Sequence, residues 1–482
     1  MNYGIVRFTL GRILCITALL MAPSLFVALI YSEGWQGLWP FLLSILITGG
    51  FGLIMGFKRP ENTSYFAREG FVIVALSWLA LSVFGCLPFL FSGTIVNPVN
   101  AFFETASGFT TTGASIMTDV ESTSKSILWW RSFTHLIGGM GVLVFALAVM
   151  PNIKSEDVYA MKAEVPGPTF GKIRAKLRSS ARILYIIYLS MTAAVVILLF
   201  LGGMPLFDSF LHAFGTAGTG GFGIKANSVA YYNSAYIEYV IGVGMLLFGV
   251  NFNLYYFMIF KHIKGVLKNE ELRWYLGIIA FAIISICINI SHLYDSVSKM
   301  VRDVFFSVSS IITTTGYSTA DFNRWPLFSK VCLLLLMFVG GMAGSTAGGL
   351  KVSRFAIYIK SAIQEIRKNV SPNRRLPVKF EGKTLNSGLL RQLSFYLTTY
   401  TIVFMILLLI TTLSSQTFFT AFSAVAATFN NIGPGFDAVG PSGSYEGFDN
   451  LTTFILSIGM IMGRLEIFPV LVLLNPRTWK RG

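Results

Sequence analysis

Charge is what this sequence has least of. Only 12% of its 482 residues are Asp, Glu, Lys or Arg, well under the ~25% usual for a domain that folds in water. Histidine and cysteine are scarcer still, at four residues each. His135, His212, His262 and His292 are dispersed, with no HExxH and no His/Cys spacing of a metal site, so metal-dependent catalysis has no visible ligand set. Cys15, Cys86, Cys287 and Cys332 all fall in apolar stretches and offer no disulfide framework. No glycine-rich nucleotide loop or Walker pattern occurs, so the chain shows no ATP engine of its own. Acidic residues are few against basic ones, 22 to 37, for a net charge of +15. Placement decides what that excess means. Lys and Arg gather in alternate loops, as the positive-inside rule requires of a membrane protein, which excludes nucleic acid as the partner.

What is abundant is apolar sequence, 54% of the chain. About 20 such residues cross a bilayer as a helix. Ten stretches qualify, at about 12–31, 38–57, 70–92, 126–150, 181–203, 236–260, 274–292, 329–355, 392–413 and 451–474. Shorter apolar pieces near 98–109, 206–217, 300–312 and 417–429 fit re-entrant half-helices, which survive at membrane depth only when surrounded by protein or a watery cavity. The basic loops are 154–182 (Lys154, Lys162, Lys172, Arg174, Lys176, Arg178, Arg182), 261–273 and 351–391, with Arg477, Lys480 and Arg481 in the tail. The 414–450 loop holds Asp437, Glu446 and Asp449 and no base. Both termini are therefore expected in the cytoplasm, with the first span a retained helix.

One glycine-ended pattern recurs between these spans: Thr110-Thr111-Thr112-Gly113, Gly218-Thr219-Gly220-Gly221, Thr313-Thr314-Thr315-Gly316 and Asn430-Asn431-Ile432-Gly433. Each copy follows a short apolar piece. Four such loops facing one axis can offer backbone carbonyls in place of a cation's hydration shell, and glycine supplies the positive-φ geometry that turns a carbonyl inward. The half-helices would point their negative C-terminal ends at the same axis. The candidate filter set is Thr110, Thr111, Thr112, Gly113, Thr219, Gly220, Gly221, Thr314, Thr315, Gly316, Asn430, Asn431, Ile432 and Gly433. The second copy departs most from the pattern.

The pattern organises the chain. The expected fold class is an all-α integral membrane protein with four fused span–pore-loop–span repeats around one pseudo-fourfold pore, plus an N-terminal two-helix hairpin. The units are expected at 1–60 (hairpin), 68–150, 181–262, 273–356 (with a broken second span) and 391–474. The break is expected where Gly340, Gly341, Gly344, Ser345, Thr346, Gly348 and Gly349 interrupt an apolar span, since each helical glycine costs about 1 kcal/mol relative to Ala. A small-residue packing face explains Gly340 and Gly344 but not the rest, whereas an intramembrane loop that obstructs the pore explains them all. Arg464 lies within the last span, where a charge is a functional candidate. Glu466, two residues on, does not share its helix face. Glu104, Asp119, Glu121, Asp437, Glu446 and Asp449 are placed on the outer side, either enriching cations by field focusing or simply solvated.

The fourfold unit and the four glycines resemble the Trk/Ktr/HKT superfamily of cation transporters. The N-terminal hairpin, the length and the run Gly340-Gly341-Met342-Ala343-Gly344-Ser345-Thr346-Ala347-Gly348-Gly349-Leu350-Lys351 resemble its TrkH branch, the membrane subunits of bacterial Trk potassium uptake systems. The resemblance implies inner-membrane potassium uptake with potassium as substrate at the filter residues, no cofactor in this chain, and a gate made of the 340–349 loop and Arg464, with Lys351 lining the same vestibule. Glycine rather than serine at Gly113 implies potassium over sodium. It also implies a homodimer with one pore per protomer and a cytosolic TrkA-type nucleotide-binding ring as partner, beside membrane lipid. A sodium- or proton-coupled symporter of the same fold remains open. A membrane-embedded enzyme would need clustered acid, base or metal ligands at depth, and the spans offer only Arg464 and Glu466.

Overall fold

The computed structural model describes residues 1–60, 66–141, 177–259, 263–371, 377–415 and 417–480. The loop bases Lys154, Lys162, Lys172, Arg174 and Lys176, the second half of the 126–150 span, Lys261, His262, Arg374, Arg375 and Arg481 lie outside the described residues.

Two long helices, Tyr3–Ile30 and Gly34–Gly56, form the N-terminal hairpin. They approach closely because Gly11, Gly52 and Gly56 meet at the crossing, where a Cβ on Gly11 would stand 2.7 Å from the Gly52 carbonyl. Small residues at such a seam are how helices pack without a hydrophobic drive in lipid.

Four helix–pore helix–helix units follow. Their first helices are Ala67–Gly85, Leu177–Leu201, Glu270–Ile290 and Ser387–Thr411. Their short pore helices are Pro98–Phe109, Leu206–Gly218, Val297–Ile312 and Phe418–Phe429. Their second helices begin at Lys125, Ala235, Leu327 and Asn450. Side-chain caps fix where most of the short helices start. Asn97, Ser296 and Thr417 each accept a backbone N–H of the first turn, removing one of the unpaired donors there. The pore helices are buried nearly throughout, with Phe103, Leu211, Val308 and Val425 fully enclosed. By contrast the first helices turn large apolar side chains outward, among them Phe281, Ile284, Ile288 and Leu409, as a lipid-facing surface should.

The second helices are where sequence and structure differ. The stretches 236–260 and 451–474 read as unbroken spans, yet each is interrupted. Ala235–Phe248 and Phe252–Ile259 meet at 91°. Asn450–Arg464 stops before Phe468–Leu474, with Glu466 (φ 55°) and Ile467 (φ 69°) at the junction. The expected break in the third unit is present, between Leu327–Val339 and Val352–Val370. The latter helix extends well beyond the apolar stretch and leads to a two-stranded hairpin, Lys379–Phe380 with Lys383–Thr384.

Candidate pore and gate

Each pore helix ends in the same backbone turn. Thr111, Thr219, Thr314 and Asn431 occupy equivalent places with φ of 56°, 56°, 56° and 58°. The next N–H in each loop reaches back to a carbonyl of the helix: Thr112 to Ser107 at 2.9 Å, Gly220 to Gly215 at 2.8 Å, Thr315 to Ser310 at 2.8 Å and Ile432 to Ala427 at 2.8 Å. This is a helix-ending motif whose left-handed residue is ordinarily glycine. Threonine there is strained because of its branched Cβ, at roughly 1–3 kcal/mol for each such residue. Strain repeated at three threonines and one asparagine marks a geometry the surrounding packing enforces.

The ring glycines follow two residues later, all with positive φ: Gly113 79°, Gly221 72°, Gly316 90° and Gly433 97°. Their surroundings fix the order of the units about the axis. A Cβ on Gly113 would overlap the Gly220 carbonyl, one on Gly221 the Thr315 carbonyl, and one on Gly316 the Ile432 carbonyl; one on Gly433 would stand 2.6 Å from the Thr112 carbonyl. First touches second, second third, third fourth, and fourth first: the loops close into a ring of four, with the carbonyls of Thr112, Gly220, Thr315 and Ile432 packed against its glycines. A cavity of about 300 Å³ opens beside it, lined by Gly113, Gly221, Gly316 and Gly433.

Side chains brace the loops from behind. Thr110 Oγ1 donates to the Ala106 carbonyl and pairs with Thr112 Oγ1 at 2.7 Å. Thr313 repeats this with Ser309 and Thr315. In the fourth loop, Tyr400 Oη donates to Asn430 Oδ1, and Asn431 Nδ2 donates to Thr112 Oγ1, both at 2.9 Å, so fourth and first loops share a bond. Glu104 is corrected from the reading that set it among the outer acids. It is fully buried, paired with Arg131 at 2.6 Å and bonded to the Ile116 N–H. Arg131 in turn donates to the Gly223 carbonyl and to Ser115. The pair ties the first loop to the second and is not a solvated charge.

The glycine-rich loop lies directly against this ring. Its ends pinch together: a Cβ on Gly349 would stand 2.7 Å from the Gly340 Cα, and both glycines have positive φ. Gly341 accepts from the Val352 N–H at 3.0 Å. At the tip, Gly344 (φ 78°) accepts from the Phe252 N–H at 3.0 Å, Ser345 Oγ donates to the Met342 carbonyl, and Thr346 Oγ1 donates to the Phe248 carbonyl. The Gly348 N–H donates to Thr314 Oγ1 at 2.6 Å, so loop and ring touch.

Arg464 fastens the loop to two other units. It donates to the Thr346 carbonyl at 2.6 Å and to the Gly138 and Gly139 carbonyls at 2.6 and 2.7 Å. The latter two end the Lys125–Gly139 helix, where a guanidinium meets the negative end of the dipole. Glu466 has a different partner, Arg354 of the Val352–Val370 helix. Lys351 is buried, with Nζ on the Ala347 carbonyl.

Several contributors lie outside the predicted set. Glu271 Oε1 accepts from the Ala343 N–H at 2.7 Å and the Ser353 N–H at 3.1 Å, clamping both arms of the loop. Asn251 sits at the 91° bend against Gly344, and His135 packs behind the second loop. An acid at the head of an apolar helix, or a lone histidine inside one, was the available signal.

A family model described as "TrkH: Cation transport protein" matches residues 41–480. The chain is 34% identical to the Trk system potassium uptake protein TrkH of Salmonella typhimurium, covering 99% of each chain. It is also 34% identical to TrkG of Escherichia coli K12, over 99% of this chain and 98% of that one. The crystal structure of the potassium transporter TrkH from Vibrio parahaemolyticus superposes with a TM-score of 0.89 at 31% identity, covering 100% of both chains. With its closed ring of four glycine-ended loops and a match along nearly its whole length, the chain belongs to the TrkH family of cation transport proteins.

Proposed function

We propose that this protein carries potassium into a bacterium through a channel-like pore in the inner membrane, both termini being cytoplasmic. The observation that carries the reading is the cyclic order of glycine-to-carbonyl contacts, 113 to 220, 221 to 315, 316 to 432 and 433 to 112. Four inward peptide turns held by non-glycine residues of positive φ present carbonyl oxygens without reorganisation, which is what a dehydrated cation requires. The filter comprises Thr110–Gly113, Thr219–Gly221, Thr314–Gly316 and Asn430–Gly433, with the pore-helix C-termini favouring a cation between them.

The gate is the 340–349 loop locked by Arg464. In the locked state, a guanidinium beneath the ring also opposes a passing cation. Opening requires the Arg464–Thr346 and Thr314–Gly348 bonds to break together, and the rigid Val352–Val370 helix gives a lever for that motion. The lever is the proposed coupling to a cytosolic TrkA-type nucleotide-binding ring; the working assembly is a homodimer with one pore per protomer.

Reconstitution in liposomes tests the reading. Under separate potassium, sodium and proton gradients, the reversal potential should follow potassium alone. A reversal potential that moves with the sodium or proton gradient would instead mean either coupled symport or a pore that also passes that ion.

A further inference from the structure

The second loop lacks the braces its neighbours have. In the first and third loops a pair of threonine hydroxyls spans positions one and three, Thr110–Thr112 and Thr313–Thr315. The matching residues in the second loop are Gly218 and Gly220. Neither has a positive φ, so the backbone does not require glycine there. Space does. A Cβ on Gly218 would overlap the His135 carbonyl and come within 3.1 Å of the His135 Cβ, and one on Gly220 would overlap the imidazole ring itself.

His135 comes from the Lys125–Gly139 helix of the preceding unit and is fully buried. Both ring nitrogens are engaged. Nδ1 lies 2.8 Å from the Gly108 carbonyl, and the Phe222 N–H approaches Nε2 at 3.3 Å. A carbonyl can only accept and an amide N–H can only donate, so the neutral ring with its proton on Nδ1 satisfies both. The imidazole also packs against the Phe222 ring at 4.2 Å between centroids, tilted by 34°. Gly108 belongs to the last turn of the first pore helix, and Phe222 directly follows ring Gly221. One side chain therefore joins the base of the first loop to the exit of the second.

We propose that His135 is a specificity-determining positioning residue, whose imidazole takes the place of the threonine missing at Gly220, while its backbone carbonyl and Cβ take that of the one missing at Gly218, and which sets where the Gly220 carbonyl and Gly221 sit. The proposal rests on the filter reading above. His135 does not touch the ion; it acts through the second loop.

The experiment is a compensation series in liposomes, reading the potassium-to-sodium permeability ratio from reversal potentials alongside Tm in detergent. His135→Ala should lower the ratio about tenfold, because the second quadrant loses its backing and carbonyl spacing governs ion discrimination. Gly220→Thr alone should lose either the ratio or the folded protein. His135→Ala/Gly220→Thr should recover a ratio well above that of His135→Ala, since the threonine fills the vacated space as it does in the first and third loops. His135→Gln, which offers both an N–H and a carbonyl, should keep most of the ratio. A merely structural role would move Tm and leave the ratio alone. The proposal is overturned if His135→Ala retains the parental ratio, or if the double variant does no better than the single. Gly113→Ser in the same assay separates the two readings. If it also leaves the ratio intact, the filter reading fails and carries this one with it. If it collapses the ratio while His135→Ala does not, only the role of His135 is lost.

Discussion

The Gly348 amide donates to the Thr314 hydroxyl at 2.6 Å, so the proposed gate hangs from the proposed filter by a bond between a loop backbone and a ring side chain. Thr314 also holds the strained left-handed turn of its loop. Thr314→Ala should release that end of the gate at a cost of about 1 kcal/mol, raising potassium flux several-fold. Thr314→Ser, which keeps the hydroxyl, should leave flux near the parental level. Equal flux from both variants would mean the bond does not restrain the gate.

Gly113 leaves no room for a side chain in the ring. Its φ is 79° and a side chain there would run into the Gly220 carbonyl. Gly113→Ser should push the second loop's carbonyl off its position and add a competing oxygen, lowering the potassium-to-sodium ratio by about tenfold or more. Reversal potentials with potassium on one side and sodium on the other measure it directly; an unchanged ratio places the filter elsewhere.

Much of this was legible in the chain. Four glycine-ended loops after four short apolar pieces gave the repeat, the pore helices and the ring, because each loop needs a local signal and each carries one. The breaks in the second helices were hidden, apart from the glycine-rich one. Hydropathy averages over a window, while the 91° turn at 249–251 and the kink at Glu466–Ile467 depend on one or two backbone angles. The second loop looked like a defective copy for a related reason. Its missing threonines are compensated by His135, 83 residues before Gly218, a distance no local pattern spans. Glu104 read as an outer charge because its partner, Arg131, lies 27 residues away. The inference that Arg464 and Glu466 cannot satisfy each other did anticipate separate partners, and the fold supplies them as three carbonyls for one and Arg354 for the other.

Arg464 makes three bonds to carbonyls, each worth about 1.5–3 kcal/mol when the donor is charged. Replacing it with Ala frees the Thr346 end of the loop and removes positive charge beneath the ring. Flux should rise by roughly an order of magnitude with little change in ion preference, since no ring contact is lost. Shortening 343–348 should act in the same direction. Measured potassium efflux from liposomes at or below the parental rate, from protein that remains monodisperse, would remove Arg464 from the barrier.

Glu271 offers a test from the other side of the loop. Its carboxylate accepts from both the Ala343 and Ser353 amides. In Glu271→Gln the remaining carbonyl oxygen is a weaker, uncharged acceptor, and the clamp should weaken by about 1–2 kcal/mol. A lower Tm and raised basal flux are expected together. Lower Tm with unchanged flux would assign the clamp to stability alone.

The proposed regulation from the cytosol makes the last demand on the structure. The Val352–Val370 helix starts next to the gate, where Lys351 holds the Ala347 carbonyl and Arg354 holds Glu466, and it ends with Arg367 and Lys368 in its last turn. The hairpin at Lys379–Thr384 returns to the base of the Glu270–Ile290 helix, where Lys360 and Glu270 pair and Glu381 accepts from the Glu270 and Glu271 amides. A load applied to the helix end or the hairpin is therefore connected both to the Arg354–Glu466 pair and to the Glu271 clamp on the 340–349 loop. Such a surface suits an acidic face of a soluble ring, while anionic headgroups would attract it by about 1 kcal/mol per charge. Replacing Lys368, Arg374, Arg375 and Lys379 together by Gln should reduce co-purification with the partner ring severalfold and blunt nucleotide-dependent flux. The basal potassium-to-sodium ratio should not move, because none of the four belongs to the ring. If the quadruple variant binds its partner normally and loses only its dependence on anionic lipid, the basic face serves the membrane and the lever is driven from elsewhere.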